Sequence, residues 1–440
     1  MRFQSRIDQI MIKTLLFSFI LIVLSPATSS GQSESIYIKA GFLYDSENNK
    51  LLKNMLVEIQ GTKIISVGEF EPLPEVSEII DLTSYTVLPG LIDAHTHVLF
   101  SQDANEDFAE HSVHSLTMES DALRVLRGSK RAKSYLDEGI TSIKDIGNSG
   151  LYLDVALRDA INEGTVVGPR VFASGPILAA DGGQIYGVLP DHQDIIDLEY
   201  RIIKSVDDAK NAVREHVNQN VDLIKICADN IPNKTYLTVE EIKSIVQAAH
   251  SYGLTVTAHC VTNQSAWNAI EGGVDGIEHG FNLADSTLIR MAEEQIFLVP
   301  TENSRSYMET YAKLAGYEEN ETDWIDGYMN RLEDRLKRAI DKGVQIVAGS
   351  DNYTDINVSR GQSSKDMFRY YFEAGMKPLD ILQSSTYISA TMLKMEDKIG
   401  WLKANAYADI IAVKGDIQAD FLSAIENVVF VMKDGQVYLN

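Results

Sequence analysis

Residues 86–98 read TVLPGLIDAHTHV, a mainly apolar run with His95 and His97 near its end. Because side chains alternate across a β-strand, two histidines at positions i and i+2 point to the same side of it. Two imidazoles on one side can chelate a metal ion. Such a pair also occurs by chance, so this run alone leaves a metal site and ordinary packing both open.

Around this stretch, short β-rich runs alternate with longer helical patterns, many of which end in glycine. Alternation of this kind predicts parallel βαβ units, and eight strands can close into a barrel. The sequence therefore predicts an α/β fold, a (β/α)8 TIM-like barrel. We expect Ala180 to Lys204, rich in Asp, Gly and Ile, to form a long functional loop or lid. The candidate strands are Thr86–Val98, Ile140–Asp145, Arg170–Ala173, Leu223–Cys227, Thr255–His259, Gly276–His279, Phe297–Thr301 and Val344–Ser350.

The two ends of the chain share a different texture, in which short β-rich runs are separated by turn residues. Isolated hairpins are marginal in water, so we expect both ends to combine in one small β-sandwich domain. The predicted division is a signal peptide at 1–30, the β domain at 35–86 and 405–440, and the catalytic barrel at 87–404.

The first thirty residues carry Arg2, Arg6 and Lys13 before an apolar run, Leu15 to Leu24, and then small polar residues. This order is typical of a signal peptide, and the apolar run is short for a bilayer span. We expect a periplasmic or secreted protein with no stable membrane span after cleavage. A retained membrane anchor is the alternative.

Composition excludes several classes of protein. The chain has 440 residues, 45% of them hydrophobic and 23% charged, which is typical of a globular protein with a large core. Its formal net charge of -24 would repel phosphate backbones, so nucleic acid is not an expected partner. The two cysteines, Cys227 and Cys260, are too few for a disulfide framework.

Further candidate site residues stand at the ends of other predicted strands. Lys225 lies within an apolar strand, His259 and His279 each close a strand, and Asp351 follows the eighth. Each alone has an ordinary explanation, such as a lysine reaching solvent or a hydrogen-bonded core histidine. Together they occupy the carboxyl ends of barrel strands, where active sites of this fold are assembled.

The run Leu88 to His97, with Lys225, His259, His279 and Gly349-Ser350-Asp351, resembles the amidohydrolase superfamily. Residues 408–413, ADIIAV, also resemble the returning β segment of that family, and 272–280 resemble its imidazolonepropionase-like and Xaa-Pro dipeptidase-like branch. The resemblance implies a metal-bearing barrel and a hydrolase acting on C–N bonds.

The resemblance also implies roles for the strand-end residues. His95, His97 and Asp351 would hold one divalent metal ion, His259 and His279 a second, and a carbamate on Lys225 would bridge them. Zinc suits these oxygen and nitrogen ligands, as do manganese, iron and cobalt. Asp351 would act as general base and then general acid for a metal-activated water.

One loop departs from the family pattern, because many relatives have Gly-Gly-His where residues 181–184 read DGGQ. Its substrate contacts therefore do not transfer. For a substrate carboxylate we expect a guanidinium from Arg305 or Arg360 on the top-face loops, and for a wall or hydroxyl Tyr186 or Tyr307. Each of these is also an ordinary surface residue type.

The expected function is an exported, metal-dependent amidohydrolase that cleaves an amide or peptide bond in a small molecule. Its substrates would be those of a dipeptidase or a carboxypeptidase-like enzyme, including N-acyl amino acid amides. Three alternatives stay open: a mononuclear cyclic amidohydrolase, a deaminase, and a non-catalytic binding protein on the same barrel. A homo-oligomer is compatible with all of them.

Overall fold

A computed structural model describes residues 35–72 and 78–440, with the side chain of residue 319 left out. The predicted signal peptide, 1–30, lies outside the described residues. Within them, no helix combines the length and apolar character needed to cross a membrane. Both cysteines are buried and unpaired.

The described part of the chain contains strands and helices in alternation through its middle. The strands are β1 (Ile36–Asp45), β2 (Lys50–Gln60), β3 (Lys63–Glu69), β4 (Glu78–Pro89), β5 (Leu91–Thr96), β6 (Gln102–Asp103), β7 (Ile140–Asp145), β8 (Arg170–Ala173), β9 (Ile177–Ala179), β10 (Tyr200–Ile202), β11 (Leu223–Cys227), β12 (Thr255–Cys260), β13 (Gly276–His279), β14 (Phe297–Val299), β15 (Thr354–Asp355), β16 (Ile410–Val413), β17 (Val428–Lys433) and β18 (Gln436–Leu439). The α-helices are α1 (Phe108–Met118), α2 (Asp121–Asp137), α3 (Leu153–Asn162), α4 (Gln193–Ile196), α5 (Val206–Asn218), α6 (Val239–Ser251), α7 (Asn263–Gly272), α8 (Asp285–Glu293), α9 (Arg305–Leu314), α10 (Trp324–Asp341), α11 (Arg360–Ser364), α12 (Asp366–Glu373), α13 (Pro378–Ser384), α14 (Tyr387–Met392) and α15 (Phe421–Glu426).

Seven strands from the two ends of the chain form one mixed sheet in the order β18-β17-β16-β4-β1-β2-β3. The first and last parts of the chain meet where β16 runs antiparallel to β4, with Ile410 opposite Pro89. The sheet buries its own apolar cluster, which includes Ile38, Val57 and Phe430. The two ends thus share one core.

The barrel is built from two all-parallel sheets, β5-β7-β8 and β10-β9-β11-β12-β13-β14. Between β8 and β11, the backbone N–H of Asp222 donates to the carbonyl oxygen of Ala173 at 2.8 Å. This arrangement confirms the expected α/β barrel and places the carboxyl ends of its strands at one face.

The prediction of a regular eighth strand at Val344–Ser350 is wrong. Only an isolated parallel bridge, Leu298 to Ile346, forms there. The segment still closes the barrel, because Val347 N–H donates to Leu298 on one side and Ala94 N–H donates to Ala348 on the other. The N–H of Ala348 donates instead to Ser384 at the end of α13, which interrupts a regular ladder.

The predicted strand Thr86–Val98 is divided at Gly90. β4 belongs to the sheet formed by the chain ends, and β5 belongs to the barrel. Residues 86–98 therefore pass from that sheet into the barrel. A Cβ atom on Gly90 would lie 2.0 Å from the Thr141 hydroxyl oxygen, so only glycine fits where the chain crosses.

The segment Ala180–Lys204 is not the single long loop that we expected. It contains a 3-10 turn at Pro190–His192, α4, and β10, which pairs in parallel with β9. β10 has only three residues, too few for a periodic pattern to show in the sequence.

Candidate metal centre

The six predicted ligands line one pocket of about 230 Å³. β5 ends at Thr96, between His95 and His97, while β11, β12 and β13 carry Lys225, His259 and His279. Asp351 follows the segment that closes the barrel. The pocket is lined by His95, His97, Lys225, His259, His279 and Asp351. The fold therefore brings to one place residues that are 256 positions apart in the chain (95 to 351).

His95, His97 and Asp351 form the tightest group, with one ligand atom from each lying within 4.8 Å of the others. The Nε2 atoms of His95 and His97 are 3.2 Å apart. They lie 3.5 Å and 3.2 Å from Oδ1 of Asp351. That oxygen is buried and accepts no hydrogen bond from the described residues.

Hydrogen bonds on the far side of each imidazole fix its orientation. Nδ1 of His95 lies 2.7 Å from Oε2 of Glu278, and Nδ1 of His97 lies 2.8 Å from the carbonyl oxygen of Gly147. Both acceptors favour a proton on Nδ1, which leaves Nε2 free to bind a cation.

Burial, followed by the charge of Lys225, holds the pKa of His95 well below its ordinary value, so this ring is neutral. Burial also favours neutral His97, but the nearby carboxylate of Asp351 outweighs it and raises the pKa of His97. Two inward nitrogens and an unpaired carboxylate oxygen therefore fit a divalent metal ion.

His259 and His279 stand beside this group, with ring centroids 4.5 Å apart. Nδ1 of His279 lies 3.7 Å from Oδ2 of Asp351. Burial, and then the Lys225 charge, lower the pKa of His259 to about 3. Burial, and then His259 itself, lower the pKa of His279 well below its ordinary value. Both rings are neutral and able to donate a lone pair.

Lys225 is 2% exposed. Among the described residues, no carboxylate forms an ion pair with its ammonium group within 4 Å. A buried ammonium without such a partner is costly. The same position suits an anionic ligand made from the lysine, which is the carbamate that the family resemblance implies.

A buried ion pair beneath the centre was missed from the sequence. Glu278, which bonds His95, also lies 2.7 Å from Nζ of Lys144, and both side chains are fully buried. Burial raises the pKa of Glu278, but the charge of Lys144 outweighs it and the net shift is downward, so this carboxylate is ionised. Lys144 lies in β7, whose sequence ITSIKD is largely polar and so lacks the apolar context that identified Lys225.

Gln184 was not predicted as a site residue, because its loop departs from the family pattern. Its Nε2 atom lies 3.1 Å from Nε2 of His259, so the amide donates into the pocket. The signal was available, since Gln184 occupies the place of the histidine in the Gly-Gly-His run of relatives. The pocket walls mix polar and apolar side chains, and the apolar and aromatic part includes Phe108, Ile177, Ile231, Pro232 and Tyr353.

Three residues at this face have left-handed backbone. His279 has φ 66°, Thr301 φ 70° and Asp351 φ 52°. Such values are uncommon for residues other than glycine, and most unusual for the β-branched Thr301. Thr301 bonds Nδ1 of His279 at 2.8 Å. Backbone strain of this kind persists only where the surrounding structure stabilises it, and it is concentrated at functional sites.

The predicted substrate contacts are only partly brought to the pocket. Tyr186 lines it, and its hydroxyl donates to Asp107. Arg305 is exposed and pairs with Asp326.

Tyr307 and Arg360 are buried elsewhere. Tyr307 lines a separate cavity, and Arg360 donates to the carbonyl oxygens of Phe100 and Tyr353 at 3.3 Å and 3.0 Å. The expectation that these residues and Arg305 would face the pocket fails because tertiary contacts, not loop position, decide where their side chains point.

Comparisons with known proteins agree with this architecture. The amidohydrolase family profile matches residues 86–438. The chain is 26% identical over 418 residues to ochratoxinase from Aspergillus niger, a match covering 88% of this chain and 82% of that protein. It is 22% identical over 401 residues to imidazolonepropionase from Fusobacterium nucleatum, covering 84% and 87%.

Among solved structures, a Xaa-Pro dipeptidase with methionine bound in its active site superposes with a TM-score of 0.79 and 28% identity. That match covers 92% of this chain and all of the other. Both the predicted superfamily and its branch are confirmed. The chain belongs to the amidohydrolase family of hydrolases.

Proposed function

We propose that this enzyme hydrolyses an amide or peptide bond in a small substrate, as a dipeptidase or a carboxypeptidase-like enzyme that also takes N-acyl amino acid amides. The observation that carries the proposal is the convergence of four neutral or inward-facing histidines, Lys225 and Asp351 on one pocket. Ochratoxinase and the Xaa-Pro dipeptidase support it as relatives.

The proposed centre contains two divalent ions, with zinc as the best fit. His95, His97 and Asp351 would hold one ion, His259 and His279 the other, and Lys225 would bridge them as a carbamate. When bound, such ions lower the pKa of a water molecule and polarise a carbonyl group. The lack of an ion-pair partner for Lys225 among the described residues supports its carbamylation.

Asp351 is the proposed general base and acid. Its carboxylate faces the pocket, and its backbone N–H donates to the carbonyl oxygen of His95 at 2.9 Å, which fixes the turn that presents it. Asp351 would accept a proton from the attacking water and pass it to the leaving nitrogen. Gln184 lines the same pocket, and we propose that its amide N–H donates to the substrate's carbonyl oxygen.

The lining also bears on the substrate. Lys225 is the only lysine or arginine among the described residues that line the pocket, and it is assigned to the metals. The apolar lining residues Phe108, Ile177, Ile231 and Pro232 favour an apolar group beside the scissile amide. We therefore expect kcat/KM for an N-acyl phenylalanine amide to equal or exceed that for the free acid. A strong preference for the free acid would contradict this point.

The main experiment combines metal analysis with a screen of Xaa-Pro dipeptides, Xaa-Arg and Xaa-Lys dipeptides, and N-acyl amino acids with their amides. The proposal predicts about two metal ions per chain and hydrolysis that stops on chelation and returns with metal. Full hydrolysis by metal-free protein would refute it.

A second candidate is a mononuclear enzyme that opens a cyclic amide, or a deaminase. It is favoured by the compact group of only three ligands, His95, His97 and Asp351, among the described residues, and by the imidazolonepropionase relative. Lys225→Ala separates the two, because a mononuclear site that does not use the lysine keeps its activity.

We also propose that the enzyme is exported, on the strength of the charged, apolar and small-residue order of residues 1–30. Amino-terminal sequencing of the protein purified from its native host tests this. Cleavage after the apolar run is expected, and an intact Met1 would contradict it.

A further inference from the structure

A second cavity, of about 290 Å³, lies between α2 and the segment that leads into α11. Four of its lining residues are cationic: Arg127, Lys130, Arg131 and Arg360. The chain as a whole carries a net charge of -24, so such a concentration of positive charge is exceptional in it. We call this feature the basic cavity.

Most of this positive charge has no carboxylate partner. Arg131 donates to the carbonyl oxygen of Val98 at 2.9 Å, and Arg360 donates only to neutral oxygens. Within 4 Å of Lys130, Arg131 and Arg360, no ion pair forms with any described residue. Burial, followed by the charge of Arg360, lowers the pKa of Arg131 to about 10, so these cations repel one another.

Two acidic residues lie nearby, and one of them pairs with a member of the cluster. Glu119 pairs with Arg127 at 2.5 Å. Asp355 lines the cavity at an exposed position, where its Oδ1 atom accepts the backbone N–H of Asn357 at 2.7 Å. The formal charge of the lining is therefore four positive against one negative.

The walls of the basic cavity are held in place without a ligand. The N–H of Gly361 donates to the Ser134 hydroxyl at 3.0 Å, and a Cβ on Gly361 would lie 2.0 Å from the carbonyl oxygen of Ser134. α2 and α11 therefore touch through backbone. Hydroxyl groups of Ser101 and Ser359 also line the cavity.

We propose that the basic cavity binds a small tetrahedral oxyanion, a phosphate or phosphate monoester, at a site separate from the metal centre. Fixed guanidinium groups match the geometry of phosphate, and charge-assisted hydrogen bonds are stronger than neutral ones. Arg360 also donates to the carbonyl oxygen of Tyr353, which lines the metal pocket from the other side. The anion would therefore stabilise the segment that separates the two sites.

The test measures binding of inorganic phosphate to the metal-loaded, full-length enzyme by calorimetry, against chloride at equal ionic strength. In the variant Lys130→Gln/Arg131→Gln we expect the Kd for phosphate to rise about tenfold or more. Lys133→Gln is the matched control, because it removes one positive charge from the same helix at a residue paired with Asp137. Its Kd should stay unchanged.

Phosphate can also bind metal ions, so the readout has to separate the two sites. Equal phosphate binding by Lys130→Gln/Arg131→Gln and wild type, or loss of binding in His95→Ala alone, would place the anion at the metals and overturn the proposal. No binding by wild type would overturn it too. If the double variant melts early, the exposed single variant Lys130→Glu provides the same comparison. None of these outcomes depends on the substrate proposed above.

Discussion

The metal pocket and the basic cavity lie on two sides of one segment, residues 351–360, and they are built from opposite polar groups. The first gathers acceptors, the Nε2 atoms of His95 and His97 and an unpaired oxygen of Asp351. The second gathers N–H donors, and those of Arg131 and Arg360 meet neutral oxygens. Since a buried polar group is costly without a partner, the first arrangement calls for a cation and the second for an anion.

The largest expected effect is a loss of activity on substitution of Asp351 in the metal pocket. Asp351→Asn keeps the size of the side chain but removes its charge and its ability to take a proton. We expect kcat/KM to fall by about 10²- to 10⁴-fold. The control is Asp355→Asn, on the same segment but exposed and lining the basic cavity, which should retain its activity. Steady-state kinetics on one amide substrate decides, and near-normal activity of Asp351→Asn would remove it from its assigned role.

The next largest effect is on metal affinity, and it concerns Glu278, the residue behind the ligand His95. Glu278→Gln replaces the carboxylate that orients His95 and that pairs with Lys144. We expect metal affinity to fall by about 10- to 100-fold, because partners behind a ligand fix its tautomer and orientation. Competition with a chelator measures this. Unchanged metal affinity would show that His95 is held without its partner.

Gln184→Ala tests the wall of the metal pocket. If the amide donates to the substrate, its loss should lower kcat/KM by about 10-fold, in line with one hydrogen bond. Metal content should not change, because Gln184 is not one of the six proposed metal ligands. Loss of metal with Gln184→Ala would instead make it a support of His259.

The last effect is on stability, not on activity, and it concerns a third kind of site, a buried carboxylate with donors but no ion pair among the described residues. Asp154 accepts N–H groups of Val155 and Gly175 at 2.9 Å and 2.8 Å. Burial, and then the charge of Asp145, raise its pKa from 3.8 to about 7.

A folded-state pKa above the unfolded value stabilises the fold at low pH, and that contribution is lost as pH rises toward 7. Urea unfolding of wild type and Asp154→Asn from pH 4 to 8 checks this. The stability of wild type relative to the variant should fall by up to about 1.4 kcal/mol per pH unit between 4 and 7. A constant difference across that range would mean that Asp154 titrates normally.

Much of the barrel could be predicted from the sequence, because buried parallel strands are short apolar runs bounded by turn residues. Leu223–Cys227 and Gly276–His279 form as predicted, so Lys225 lies within its strand and His279 at the end of its own. The closing segment could not be predicted, since the hydrogen bond from Ala348 to Ser384 joins residues 36 positions apart (348 to 384).

The outer parts of the site were harder to predict. Arg360 follows a barrel strand, as a residue that binds substrate would, yet its guanidinium turns to the carbonyl oxygens of Phe100 and Tyr353. Lys144 and Glu278 are adjacent only in the folded barrel. A sequence pattern identifies which strand end a residue occupies, whereas its partners depend on contacts between distant strands.

The proposed activity depends on two metal ions bound in the metal pocket of the active enzyme. Anomalous diffraction from crystals of enzyme with measured amide hydrolysis tests it most directly. We expect two peaks, one among His95, His97 and Asp351 and one beside His259 and His279, with continuous density linking Lys225 to both. A fully active enzyme with no anomalous peak in this pocket would contradict it.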